Sequence, residues 1–202
     1  MFQNFEREYR LTERGVNPSI NGPEILRPLL SAYGGSTFEG GLYRIHDAAS
    51  SATILEAVEE AFPKLHKPVI CFGFDWLGRQ FALDPTRGTP GDPEVLLLEP
   101  GTGEALEVPV TFSAFHDFGL SEFRDACLLP DFFSEWNAIV DNKEPAFNEC
   151  VGYTLPLFLG GEDIVTNLEL TNMDVYWAIT SQLLRATRHL PPGTSISGTS
   201  MI

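Results

Sequence analysis

An α+β fold, with an antiparallel sheet flanked by helices, is the expectation set by three features of the chain. Short runs of strand-forming residues recur between turn residues, several longer segments carry helical apolar spacing, and 18 Gly and 15 Pro punctuate the 202 residues too often for long helices. With 43% hydrophobic content and 15 Phe, the chain has enough apolar surface to bury a substantial core.

The first thirty residues, with Asn17-Pro18 and Asn21-Gly22-Pro23, read as an irregular or short helical lead-in ending near Pro28. Gly34-Gly-Ser-Thr-Phe-Glu-Gly-Gly41 is a turn-rich loop that feeds a short strand, Leu42 to His46. It lacks the lysine and the following helix that a phosphate cradle needs. Ser50 or Ser51 caps a helix whose Ile54, Leu55, Val58 and Phe62 share a face, and Pro63 stops it.

Val69 to Phe74 and Arg79 to Asp84 form a hairpin through Asp75-Trp-Leu-Gly78, and Val95 to Leu98 with Ala105 to Val110 form a second. Thr111 or Ser113 opens a helix containing Phe112, Phe115 and Phe123. Phe132, Phe133, Trp136, Ile139 and Val140 mark another. After a polar loop to Glu149, Tyr153 to Leu159 reads as extended, Gly160-Gly161 as a turn, and Asn167 to Leu170 as a short element. Thr171-x-x-Asp174 caps a final helix with Val175, Ile179 and Leu183 aligned on one face and Tyr176 beside them, ending before Pro191-Pro192. The Ser/Thr/Gly tail from Gly193 to Ile202 reads as frayed.

Charge is distributed unevenly. Between Asp92 and Asp174 there are 17 acidic residues and only two basic ones, Arg124 and Lys143, and the net charge of the chain is -15. A block of this sign repels nucleic acid and favours a basic protein partner. Solubility alone is the plainer use of such charge. No apolar run approaches the length of a membrane span and no secretory leader is evident, so a cytoplasmic protein that neither enters a membrane nor binds nucleic acid directly is expected.

Chemistry is hard to find. The short motifs of nucleotide binding, zinc hydrolysis and serine hydrolysis are missing, so no catalytic residue, cofactor or metal is expected. Cys71, Cys127 and Cys150 have neither ligand spacing nor a Cys-x-x-Cys pair and read as reduced, buried thiols. An enzyme built on Cys71 or His116 would require the two in one solvent-accessible pocket. Trp76, at a hairpin tip, would be an interface anchor if exposed and a packing residue if not.

Several segments together resemble a known family. Phe72-Gly-Phe-Asp-Trp-Leu-Gly-Arg-Gln-Phe-Ala-Leu-Asp84, Leu97-Leu-Glu-Pro-Gly-Thr-Gly-Glu-Ala105, Gly152-Tyr-Thr-Leu-Pro-Leu-Phe-Leu-Gly-Gly-Glu162, Asn167-Leu-Glu169 and Leu190-Pro-Pro-Gly-Thr194 resemble immunity proteins of type VI secretion systems. The resemblance implies a GAD-like, SUKH-like portion over residues 1–145 and a smaller C-terminal immunity unit over 146–202 packed on it. It also implies a cognate toxin as partner, with a basic surface, often a nuclease; SUKH-like domains serving as regulatory protein-binding modules are the alternative. The resemblance transfers no contact residues. Crowding of carboxylates around one lysine instead nominates Asp131, Glu135, Asp141, Glu144, Glu149, Glu162 and Asp163 as the partner-binding set, with Trp76 as the aromatic anchor.

Overall fold

The computed structural model describes residues 2–15, 24–65, 68–89 and 91–191. Helix α1 (Gln3–Glu8) and strand β1 (Leu11–Glu13) open the chain, and a 3-10 turn (Glu24–Leu26) leads into α2 (Arg27–Tyr33). The lead-in therefore continues beyond its expected end. Pro28 sits in the first turn of α2, where its missing N–H costs no hydrogen bond. The Asn17-Pro18 and Asn21-Gly22-Pro23 turns and the tail after Pro191 lie outside the described residues. Helix α1 has no cap of its own. The Asp117 carboxylate, far along the chain, accepts the N–H groups of Phe2 at 2.8 Å and Asn4 at 3.1 Å and satisfies its first turn.

Strand β2 (Thr37–Phe38) and the 3-10 turn Glu39–Gly41 occupy the Gly-rich loop, and β3 (Tyr43–Ile45) follows. Helix α3 (Ala48–Ala61) is capped by Asp47, with Ser50 completing a reciprocal capping box. The cap expected at Ser50 or Ser51 thus lies slightly earlier. Strands β4 (Ile70–Asp75), β5 (Gln80–Thr89), β6 (Asp92–Glu99) and β7 (Glu104–Thr111) form a meander, and β1 to β7 pair antiparallel in sequence order.

Both faces of this sheet are buried, which explains why its central strands read as continuous apolar runs. Phe72, Phe81, Val95, Leu97 and Val108 belong to one core, shared with α1, α2 and the helices after β7. Cys71, Phe74, Ala82, Leu96 and Leu98 point the other way into a second core with α3 and the last helix. The single helix expected after Thr111 is broken instead. It runs as α4 (Phe112–Ala114), a π turn (Phe115–Gly119), α5 (Leu120–Glu122) and α6 (Arg124–Leu128), before α7 (Pro130–Ile139).

A ribbon of β8 (Glu149–Tyr153) and β9 (Leu168–Asn172) precedes α8 (Met173–Thr187), giving the small C-terminal strand pair and helix. The stretch expected to be extended up to Leu159 turns after Pro156 into a 3-10 segment, Leu157–Leu159. Asn172, rather than Thr171, caps α8 by accepting the Val175 N–H. No helix among the described residues is long and apolar enough to cross a membrane.

The turn between β4 and β5 ties these layers together. The Trp76 indole donates to the Leu128 carbonyl at 2.9 Å, and the Trp76 carbonyl accepts the Val151 N–H at 2.7 Å. The Trp177 indole of α8 donates to the Gly78 carbonyl at 2.8 Å. Gly78 has φ near 77°, and a Cβ there would lie 3.0 Å from the Cys150 sulfur, so both backbone angle and space call for glycine. Arg79 completes the junction, donating through Nε to Asp75 at 2.7 Å and through Nη2 to the Cys127 carbonyl at 2.8 Å, with Glu99 at 3.5 Å.

Candidate functional site

The carboxylates nominated from sequence fall on α7, on the loop behind it, at the start of β8 and around the turn before β9. Asp131 and Glu135 are exposed on α7, whose opposite side buries Phe133 and Trp136. Pro130 at the helix start and the apolar residues at i, i+1 and i+4 orient the helix so that its acids face water. Asp141 and Glu144 are exposed on the following loop, where Asp141 and Asn142 take left-handed φ values of 55° and 58°.

That loop is held from below by Arg44. The fully buried guanidinium donates through Nη1 to the carbonyls of Ala146, at 2.7 Å, and Glu149, and lies 4.7 Å from the centre of the Phe74 ring. Burial lowers its pKa to about 10, still far above neutrality, so a fixed cation sits under an acidic loop. Glu144 folds over Gly40, and Pro145 over Gly41, where side chains would collide with them. Glu149 is half-buried and accepts the Ala146 N–H at 3.0 Å, which directs part of its charge inward. Asp163 accepts the Tyr153 hydroxyl at 2.6 Å but remains exposed beside Glu162.

Among the described residues, none of these seven carboxylates forms an ion pair. Three arginines pair with other carboxylates: Arg87 bridges Asp84, Glu94 and Glu107, Arg79 holds Asp75 and Glu99, and Arg185 holds Glu60. Arg124, in the acidic stretch itself, lies over the Tyr9 ring at 5.3 Å. The seven nominated carboxylates therefore keep open negative charge, with short-range fields directed outward from α7 and its loop.

Trp76 does not join this surface. It is 0% exposed, wedged against Phe132, Phe133 and Trp136 with its N–H spent on Leu128. The expected anchor is corrected to a core residue. The hairpin tip is not a tip in space, because α6, α7 and β8 close over it. Sequence spacing places a tip residue correctly along its strands and says nothing of what later segments cover it.

Cys71 and His116 are likewise separated. Cys71 belongs to the core on the α3 side of the sheet, and His116 to the core on the opposite side. Burial pushes the Cys71 thiol up to about 12 and the His116 imidazole down to about 3, so each rests in its neutral form. His116 is boxed by Phe2, Phe5 and Phe115 edges and bonded through Nε2 to the Tyr43 hydroxyl. This pair forms no nucleophile and base. The three cysteines are free and buried, and no group of three or more potential metal-ligating side chains occurs among the described residues. A concavity of about 450 Å³ between α3, the β5–β7 strands and α8 is floored by Phe62, Leu65, Leu96 and Leu184 and rimmed by Lys64, Asp84, Glu107 and Arg188. It contains none of the cysteines, nor His46 or His116.

One titrating group inside the junction has a measurable consequence. Burial raises the Glu99 pKa to about 7, against the pull of Arg79. The folded chain thus keeps a proton on Glu99 that the unfolded chain has released, and this group's contribution to stability falls as pH rises from its ordinary value near 4.5 to about 7. Buried His46 and His116, lowered to about 4 and about 3, act in the opposite sense and favour the folded state as pH rises toward 6.5. Glu99→Gln removes only the first effect. Its stability relative to the native protein is expected to improve by about 2 kcal/mol between pH 5 and pH 7.5, as measured by urea unfolding. A pH-independent difference would show that Glu99 titrates normally.

The nominated carboxylates of α7, its loop and the turn before β9 lie within a segment that matches a known family. Residues 117–184 match the family model described as the C-terminal part of the T6SS immunity protein Tdi1, T6SS being the type VI secretion system. This match supports a type VI immunity protein. The crystal structure of Atu4351 from Agrobacterium tumefaciens superposes with a TM-score of 0.61 over 90% of this chain and 89% of that one. At 14% identity it shows a shared fold. No curated protein matches.

Proposed function

We propose that this protein is a cytoplasmic immunity protein that binds a cognate secreted toxin with a basic surface and neutralises it by covering its active site. The observation that carries the reading is a coincidence of position: the seven nominated carboxylates, none of them ion-paired among the described residues, fall inside the segment matched to the immunity family. A nuclease is the toxin class that fits best. An enzyme that gathers phosphates must line its cleft with Lys and Arg, and an inhibitor that presents carboxylates competes for the same field while repelling nucleic acid itself. In this reading residues 1–145 form the GAD-like, SUKH-like scaffold and the unit over 146–202 completes the docking surface. The inhibitor makes and breaks no covalent bond.

The test replaces Asp131, Glu135, Asp141 and Glu162 together by their amides. All four are exposed and their side chains hold no other part of the protein. Thermal stability should hold, while affinity for the inactivated product of the adjacent toxin gene should fall by about tenfold or more, with a shallower dependence on salt. Affinity unchanged by the four amides would remove these residues from the interface, and absence of any binding by the native protein would remove the function.

A further inference from the structure

Helix α8 carries apolar residues on both of its sides. Its inner side, with Met173, Tyr176, Trp177 and Leu184, packs on the sheet and on α3 and takes the polar Thr180 and Ser181 inward with it. Its outer side presents Val175 and Ile179, one turn apart and 51% and 55% exposed, with exposed Ala178 between them. Water is the costly neighbour for such a pair, and charged residues are the usual occupants of an outward helix face.

Directly beside this stripe α3 and α8 leave a cleft of about 330 Å³, lined by Glu56, Glu60, Asp174, Ala178 and Gln182. Glu60 is already engaged, by Arg185 at 2.6 Å and by the Ser181 hydroxyl at 2.9 Å. Glu56 and Asp174 have no ion-pair partner among the described residues.

We infer that this α3–α8 face is a second docking surface for the basic partner, whose aliphatic side chains cover Val175 and Ile179 while a Lys or Arg enters the cleft between Glu56 and Asp174. The inference rests on the immunity reading and extends it to a face separate from the carboxylates of α7. Charge selects the occupant. Phosphates of nucleic acid or of an anionic lipid surface would meet two open carboxylates. A second copy placed symmetrically on the same face would bring those carboxylates toward their own kind, with Arg185 already committed to Glu60. A partner surface with aliphatic side chains beside one Lys or Arg is the complement that satisfies both features.

The experiment uses the full chain and the catalytically inactivated product of the neighbouring toxin gene, with affinity measured by calorimetry. Two variants, Val175→Ser with Ile179→Ser, and Glu56→Lys alone, change exposed side chains and are expected to keep the native unfolding temperature. Each should weaken binding by about tenfold or more, and amide exchange on α8 should slow in the native complex. Binding by both variants within about twofold of native, or α8 exchange unaltered by the partner, overturns the second surface while leaving the immunity reading intact. A native dimer that the double serine variant dissolves also overturns it, by assigning the face to self-association. A native chain that does not bind the toxin at all fails earlier and takes the immunity reading down with it.

Discussion

Arg79→Met is expected to lower the free energy of unfolding by about 3 to 5 kcal/mol, the range for removing one partner of a buried charge cluster. The guanidinium is almost fully buried and has two carboxylates for company, Asp75 at 2.7 Å and Glu99 at 3.5 Å. Burial alone would lower its pKa, and those carboxylates more than reverse the effect, so it stays a cation throughout the range in which the protein is folded. Methionine fills most of the volume and none of the charge. Asp75 would then be left buried with the backbone N–H of residue 79 in place of the guanidinium, and the Cys127 carbonyl at the end of α6 would lose its donor. Because the same residue joins the β4–β5 turn, the end of β6 and α6, the loss acts on the docking of layers, not on a single contact. Arg79→Lys should recover only part of the deficit, since a single ammonium cannot reproduce the fork that reaches Asp75 through Nε and Cys127 through Nη2. Urea unfolding of the three proteins measures the effect, and a methionine variant within about 1 kcal/mol of native would mean that the cluster contributes no more than an exposed ion pair.

What the sequence made legible follows what is local in the physics. Runs of strand-forming residues along β4, β5 and β6 and the turn residues between them specify strands and hairpins without reference to the rest of the chain, and they are where expected. The α7 stripe of Phe133 and Trp136 is equally local. Helix α8 shows the limit of the same argument. Its 3.6-residue spacing aligns Val175, Ile179 and Leu183 on one face, with Tyr176 beside them, and does not say which side is buried. Trp177, sitting outside that stripe, reaches the Gly78 carbonyl and turns the helix so that Thr180 and Ser181 go inward and the aliphatic pair stays outside. Buried charge is harder still. Arg44 looks like any surface arginine in sequence, because the carbonyls that pair with it, of Ala146 and Glu149, are supplied by a distant segment, and Arg79 has Asp75 four residues before it but takes the Cys127 carbonyl from tens of residues away. The acidic stretch was visible as composition. That its ion pairs with Arg87 and Arg79 fall on Glu94, Glu99 and Glu107 and leave the seven carboxylates from Asp131 to Asp163 without one among the described residues could be known only from the fold.

Trp76→Ala is expected to abolish toxin protection at the growth temperature by a route different from the loss of a contact. The indole is enclosed by Phe132, Phe133 and Trp136, and truncating so large a buried ring costs about 3 to 5 kcal/mol, a large share of the stability of a domain this size. The variant also strands the Leu128 carbonyl, which accepts the indole N–H where α6 hands over to α7. The helix that presents Asp131 and Glu135 rests on this ring, so the acidic surface loses its support together with the core. Trp76→Phe separates the two contributions, keeping most of the ring packing and deleting only the hydrogen bond, for a cost of about 1 to 2 kcal/mol. A residue that touched the toxin would behave otherwise, losing affinity while the unfolding temperature stayed native. Measuring binding at a temperature where the alanine variant is still folded distinguishes the cases. Near-native affinity there, with a sharply lowered unfolding temperature, is the outcome that burial requires, and weakened affinity in a fully folded variant would return Trp76 to the interface.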